Sequence, residues 1–313
     1  MKILKGIILI ASLIITIKAN VASVKIEEIE EITEDIVEYG SADCIARDVN
    51  YNDRSNLDVY YDPNNTNDKK PVVIQFHGGS WFNEDKINCV SSALLLHEKN
   101  YVTVVPNFVL YPAAQIDDIV SDFYDSIKWT FDNIDQYGGD SSNITVVGQS
   151  SSAHLLILTI LKASLVRKNN NVSLAPLPEI KRAVLINGPY EYNESLLQTV
   201  TNESIEASKN FLKEVSLAVL GIKDNCPVDL LKDYGDNSVS SFNVEKFNII
   251  YSSLDVDIAE TSANSLMEEM KRVCPSVNIQ YIFLEGLDHD GVPNGIREKN
   301  ESIRNAFIQM ISI

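Results

Sequence analysis

This chain is poor in cations, in histidine and in cysteine. Its 313 residues hold 26 Lys and Arg against 44 Asp and Glu, a formal net charge of −18. Such a balance argues against nucleic acid and against anionic membrane surfaces as partners, because both would be repelled. The four cysteines, Cys44, Cys89, Cys226 and Cys274, do not fall at zinc-ligand spacings. Their number suits disulfides in an oxidising compartment, with three possible pairings left open. The apolar run Ile7 to Ile17 has 11 residues, too short to span a bilayer comfortably. No repeat and no long low-complexity tract is visible. With only His77, His97, His154 and His289, a histidine base has four possible positions.

Against these absences stands one informative stretch. The apolar strand Ile144 to Val147 runs into Gly148-Gln149-Ser150-Ser151-Ser152, and the apolar, helix-compatible run Ala153 to Leu161 follows at once. That is the layout of a nucleophile elbow, a sharp strand-to-helix turn that raises one serine above a parallel sheet. It predicts Ser150 as nucleophile. The second small position holds Ser152 where glycine is usual. Taken alone, the string also fits an ordinary strand-to-helix loop.

A second motif lies about 70 residues upstream. Pro71 to Phe76 predicts a buried strand, and His77-Gly78-Gly79-Ser80-Trp81 follows it. A serine hydrolase needs N–H donors aimed at the oxyanion of its tetrahedral intermediate. The expected donors are Gly78, Gly79 and Ser151. A plain turn is the other reading of the two glycines, but the elbow stands in the expected order behind them.

In the hydrolases that use such an elbow, the acid and then the histidine follow the serine in the chain. His77 and His97 come too early, and His154 leaves no room for an intervening acid, so His289 is the expected base. The acid should follow the strand Phe247 to Tyr251. Asp255 is the first carboxylate past that strand and the expected acid. Asp257 is the alternative, ahead of Asp288 and Asp290. No metal and no cofactor is required by this chemistry.

These residues resemble a known family, the α/β-hydrolase group of small esterases with a His-Gly-Gly-x-Trp motif. That group holds carboxylesterases, feruloyl-esterase-like enzymes, prenylcysteine methylesterases and kynurenine formamidases. The resemblance extends from about Val37 onward, through Leu57-Asp58-Val59-Tyr60-Tyr61, Asp85-Lys86, Val105 to Pro112, Tyr137-Gly138-Gly139-Asp140 and the elbow. The elbow is closest to the prenylcysteine methylesterase version. Where the family commonly has Arg after the aromatic at 108, this chain has Val109. The resemblance implies a mostly parallel central sheet with helices on both faces, and Trp81 at the substrate site. Tyr190, in Asn187-Gly188-Pro189-Tyr190, is expected there too, a turn with a packed tyrosine being the other reading. Ester hydrolysis of a small molecule is the implied activity, with formamide or prenylcysteine methyl ester as alternative substrates. A non-catalytic binding protein on the same fold is the reading from another class.

Three segments are expected. Met1 to Ala22 reads as a secretory signal, with Lys2 and Lys5 ahead of the apolar run and small residues at Ala19, Ala22 and Ser23. Membrane contact follows only if that segment is retained. Residues 23–56 form an acidic stretch in which Ile26, Ile29, Ile32 and Ile36 predict an amphipathic helix. Residues 57–313 form the hydrolase domain, with a cap insertion at about 187–243 and helical stretches at Ile205 to Leu220 and Val228 to Leu231. Six Asn-x-Ser/Thr sequons, starting at Asn64, Asn143, Asn171, Asn193, Asn202 and Asn300, mark glycan sites if the chain is secreted.

Overall fold

The computed structural model describes residues 26–191 and 222–312, together with Val215, Leu217 and Val219. The expected signal lies outside the described residues, as does most of the expected helix Ile205 to Leu220. Two compact units result, one ending at Ala42 and one running from Asp43 to the end. The first contributes the helix α1 (Ile26–Ser41), over the stretch of isoleucine periodicity.

The second unit begins with β1 (Ile45–Asn50) and β2 (Asn56–Tyr60), an antiparallel pair. β3 (Lys70–Phe76), α2 (Val90–Glu98), β4 (Val102–Pro106) and α3 (Ile116–Asn133) follow. Then come β5 (Gly139–Gln149), α4 (Ser151–Ser164) and the small hairpin of β6 (Lys168–Asn169) and β7 (Val172–Ser173). β8 (Arg182–Ile186), α5 (Pro227–Leu231), β9 (Phe247–Ser252) and α6 (Glu260–Val273) lead to β10 (Ile279–Leu284), α7 (Gly291–Arg297) and α8 (Glu301–Ser312).

Eight strands form one sheet in the order β1-β2-β4-β3-β5-β8-β9-β10, parallel from β4 to β10. Strand residues alternate between two cores, as a period of two requires. Ile74, Val146, Leu185 and Ile249 face one core, with α3, α4 and α6. Val73, Val147, Val184 and Ile250 face the other, with α2, α7 and α8. The strands are rich in Val and Ile because both faces are covered.

The chain leaves β3 in one direction to form β4, then crosses back to place β5 on the other side of β3. Such a reversal opens a crevice at the carboxyl ends of the strands, where ligands bind in open α/β sheets. Register does the rest. Phe76 pairs with Gly148, Gln149 with Ile186, and Ser252 with Leu284. The loops after β3, β5, β8, β9 and β10 therefore emerge along one edge.

No disulfide forms. Cys89, Cys226 and Cys274 are buried thiols and Cys44 is half-buried. The pairing expected from their number is not present in this structure. Cys44 precedes β1, and Cys89 ends the 3-10 turn before α2. The Cys226 thiol donates to the Tyr190 carbonyl, and Cys274 lies 3.5 Å from the Ser276 hydroxyl. No described helix is long and apolar enough to cross a membrane.

Candidate active site

Ser150 occupies the turn between β5 and α4 with φ 56° and ψ −124°. A non-glycine residue rarely sits there, and the strain persists only where the surroundings impose it. Its N–H is held by the Ile186 carbonyl at 2.9 Å. Close packing explains Gly148, where an added Cβ would lie 2.7 Å from the Ser152 carbonyl oxygen. Ser152, the departure from glycine, is wholly buried and fully engaged. Its Oγ accepts from the Gln149 N–H at 2.9 Å and has the Gln149 and Phe76 carbonyls as acceptors at 2.9 and 3.1 Å. The hydroxyl thus stitches the elbow to the end of β3.

The Ser150 hydroxyl donates to His289 Nε2 at 2.8 Å, and His289 Nδ1–H donates to Asp255 Oδ2 at 2.8 Å. The other oxygen of Asp255 accepts the N–H groups of Asp257 and Ile258, both at 2.9 Å. Asp257 is exposed, and Asp290 accepts from the Gln149 amide at 3.1 Å. Burial works to lower the His289 pKa, but the Asp255 hydrogen bond and the charges of Asp255, Asp290 and Asp257 outweigh it and raise it above 6.5.

Among the described residues, Asp255, Asp257 and His289 form the one three-residue cluster with metal-ligand reach, their ligating atoms lying within 4.8 Å. Two of those three are already bonded to each other.

After β3, Gly79 has φ 97°, and a Cβ there would lie 2.2 Å from the Asn83 carbonyl oxygen. Ser80 and Trp81 are also left-handed, at φ 53° and 70°. The loop is braced from below by His77, which stacks on Phe108 at 4.3 Å and donates from Nδ1 to the Gly78 carbonyl at 3.1 Å. Burial lowers the His77 pKa to about 4. The N–H groups of Gly78, Gly79 and Ser151 have no hydrogen-bond acceptor among the described residues.

Two residues tie the histidine loop in place: Gln149, which the sequence did not mark as a site residue, and Asn187, which opens the segment Asn187 to Tyr190 expected at the site. The Gln149 amide donates to the His289 carbonyl at 3.2 Å. Asn187 donates to the same carbonyl at 2.9 Å and to Ser252 Oγ at 3.0 Å, while accepting the Ser252 N–H at 2.9 Å. Their signal lies only in position, since each directly follows or ends a core strand.

Of the residues expected to touch substrate, Tyr190 is wholly buried. Its N–H donates to Ser262 on α6 and its carbonyl accepts from Val228 on α5, so the packed-tyrosine reading describes it. Trp81 is also buried, its indole turned toward His154.

The family model for BD-FAE matches residues 57–238, more than half of the chain. The chain belongs to the BD-FAE family. Among curated relatives, this BD-FAE protein is 27% identical to an Arabidopsis thaliana isoprenylcysteine alpha-carbonyl methylesterase over 54% of its own length. It spans only 42% of that relative. A Danio rerio kynurenine formamidase is 24% identical, over 94% of this chain and 89% of the relative. Among solved structures, esterase B from Lactobacillus rhamnosis superposes with a TM-score of 0.66 at 15% identity, covering 91% of this chain and 93% of that one. A Pyrobaculum calidifontis esterase gives 0.64 at 18%, covering 96% and 97%. The fold of this BD-FAE protein is the α/β-hydrolase fold.

Proposed function

We propose that this protein is a carboxylic ester hydrolase working through an acyl-enzyme. The observation that carries the reading is the unbroken chain from Asp255 through His289 to Ser150, both links at 2.8 Å. It ends on a serine in a strained left-handed turn. Membership of the BD-FAE family and the esterase relatives support it.

In this reading Ser150 Oγ attacks the ester carbonyl and passes its proton to His289 Nε2. Asp255 holds the imidazole in the tautomer that leaves Nε2 free to accept, and stabilises the imidazolium. The carbonyl oxygen becomes an oxyanion facing the N–H groups of Gly78, Gly79 and Ser151. Removing one such donor typically costs on the order of 10²–10³ in kcat. His289 then protonates the leaving alcohol, and water releases the acid by the same steps in reverse roles.

The test is hydrolysis of p-nitrophenyl esters from acetate to palmitate by wild type and Ser150→Ala. A fall in kcat on the order of 10⁶ in the variant is expected. Retained turnover in Ser150→Ala would remove the assignment. Absence of both turnover and fluorophosphonate labelling in wild type would favour a binding protein.

A second substrate class has its own support. The kynurenine formamidase relative aligns over nearly all of both chains, so an activated amide is the second reading, separated by assaying a formanilide beside the esters. Secretion, with cleavage near Ala22 and glycans at exposed sequons, is a proposal resting on the N-terminal pattern.

A further inference from the structure

Three consecutive left-handed residues, Gly79, Ser80 and Trp81, need something to hold them. Trp81 is tied at two points. Its carbonyl accepts the Tyr111 N–H at 2.9 Å. Its indole Nε1–H donates to His154 Nδ1 at 3.1 Å, with the rings edge-on at 83°. The opposite nitrogen of the same imidazole, Nε2, donates to the Asn225 carbonyl at 2.7 Å. His154 lies one turn beyond Ser150 on α4 and is wholly buried.

The partners dictate the state of the ring. An indole N–H can only donate and a carbonyl can only accept, so Nδ1 must offer its lone pair and Nε2 must carry the hydrogen. A second proton on Nδ1 would face the indole N–H. Burial acts in the same direction and lowers the pKa to about 4. His154 is therefore a neutral connector that donates on one side and accepts on the other.

We infer that His154 is a positioning residue for the oxyanion loop, fastening Trp81, and with it Gly78 and Gly79, to the serine-bearing helix and to the turn at Asn225. Its kinetic consequence rests on the ester-hydrolase reading; its bonding does not. The turn Lys223–Asn225 lies within the long insertion between β8 and β9, just ahead of α5. The same imidazole thus links three parts of the chain: the loop after β3, the serine-bearing helix and the insertion.

The test has two arms. In wild type, ring ¹⁵N shifts should show His154 as the Nε2–H tautomer, without titration between about pH 5 and 8. Titration near the ordinary value would overturn the inference. That arm needs no substrate, so it stands if the ester reading fails, which would itself appear as absent turnover in wild type.

The second arm compares Trp81→Phe, His154→Leu, their double variant and His154→Gln on p-nitrophenyl acetate. Each of the first two should lower kcat by about 10–100-fold, less than outright loss of a donor, with KM within about threefold. The double variant should lose no more than the worse single, because the pair acts as one unit. Gln, which can accept through its oxygen and donate through its nitrogen, should restore part of the loss. Affinity for a trifluoromethyl ketone should fall with kcat. Unchanged kcat in Trp81→Phe, multiplied losses in the double variant, or a change confined to KM would overturn the inference. Trp81→Phe removes only the N–H and keeps the test open if His154→Leu fails to fold.

Discussion

His289 is subject to two opposed influences, and the balance between them sets a pH profile. Burial lowers its pKa, while the hydrogen bond and charge of Asp255, with Asp290 and Asp257, raise it. A base must be neutral to act, so activity is lost as pH falls through the raised value. The acid limb of kcat/KM should lie above 6.5. Asp255→Asn should move that limb to lower pH and cut kcat by about 10⁴. A limb that stays in place would mean that Asp255 is not the partner. Ser152 offers a second prediction at this scale. Ser152→Ala strips the Gln149 N–H of its acceptor inside the elbow. It should cost about 1–3 kcal/mol in urea unfolding, the desolvation cost of a buried unpaired donor.

Between elements, the departure at Val109 finds a counterpart elsewhere. The Asp122 side chain on α3 is entirely buried, and Arg54, from the turn joining β1 and β2, reaches it at 2.6 Å. Asp122 also accepts from Asn52 at 2.9 Å and from the Val109 N–H at 3.1 Å. Arg54 thus supplies, from the turn between β1 and β2, a cation to the buried carboxylate that also holds the Val109 N–H. Arg54→Ala should destabilise by about 1–3 kcal/mol, discounted because the arginine is 40% exposed. Val109→Arg in that background should recover part of the loss, as read by thermal unfolding. No recovery would mean that position 109 cannot reach Asp122.

This pairing also shows where sequence reading stops. Ser150, His289 and Gly78 were legible because a turn type and a chain order constrain them, and the strands because Val and Ile runs announce burial on both faces. The roles of Arg54, Gln149 and His154 were not. Their roles depend on which strand lies beside which, and nothing local encodes that β3 and β5 are neighbours. Tyr190 was misplaced for the same reason, since only the packing of α5 and α6 decides which way its turn faces. The cysteine count suggested pairing, but count carries no information about separation in space.

At the scale of the whole chain, two features can be tested. The charge of −18 should steer cationic esters inward and repel anionic ones. The kcat/KM for a choline-type ester should fall several-fold as salt rises from about 10 to 150 mM, whereas that for an anionic ester should rise. The division at Ala42 makes a second prediction. A chain beginning at Asp43 should fold cooperatively and react with a fluorophosphonate at the rate of the longer protein. A loss of either would show that the second unit does not stand alone.

The helix α4 behind Ser150 is buried on every side from Ser151 to Ala163, whereas Asp255 and His289 ride on loops. Amide protons of α4 should therefore be among the last to exchange with deuterium, and those around residues 253–258 and 286–291 among the first. Mild urea should then abolish the proposed activity while the centre of the sheet remains protected. Ser150 would still be in place, with His289 and Asp255 already detached.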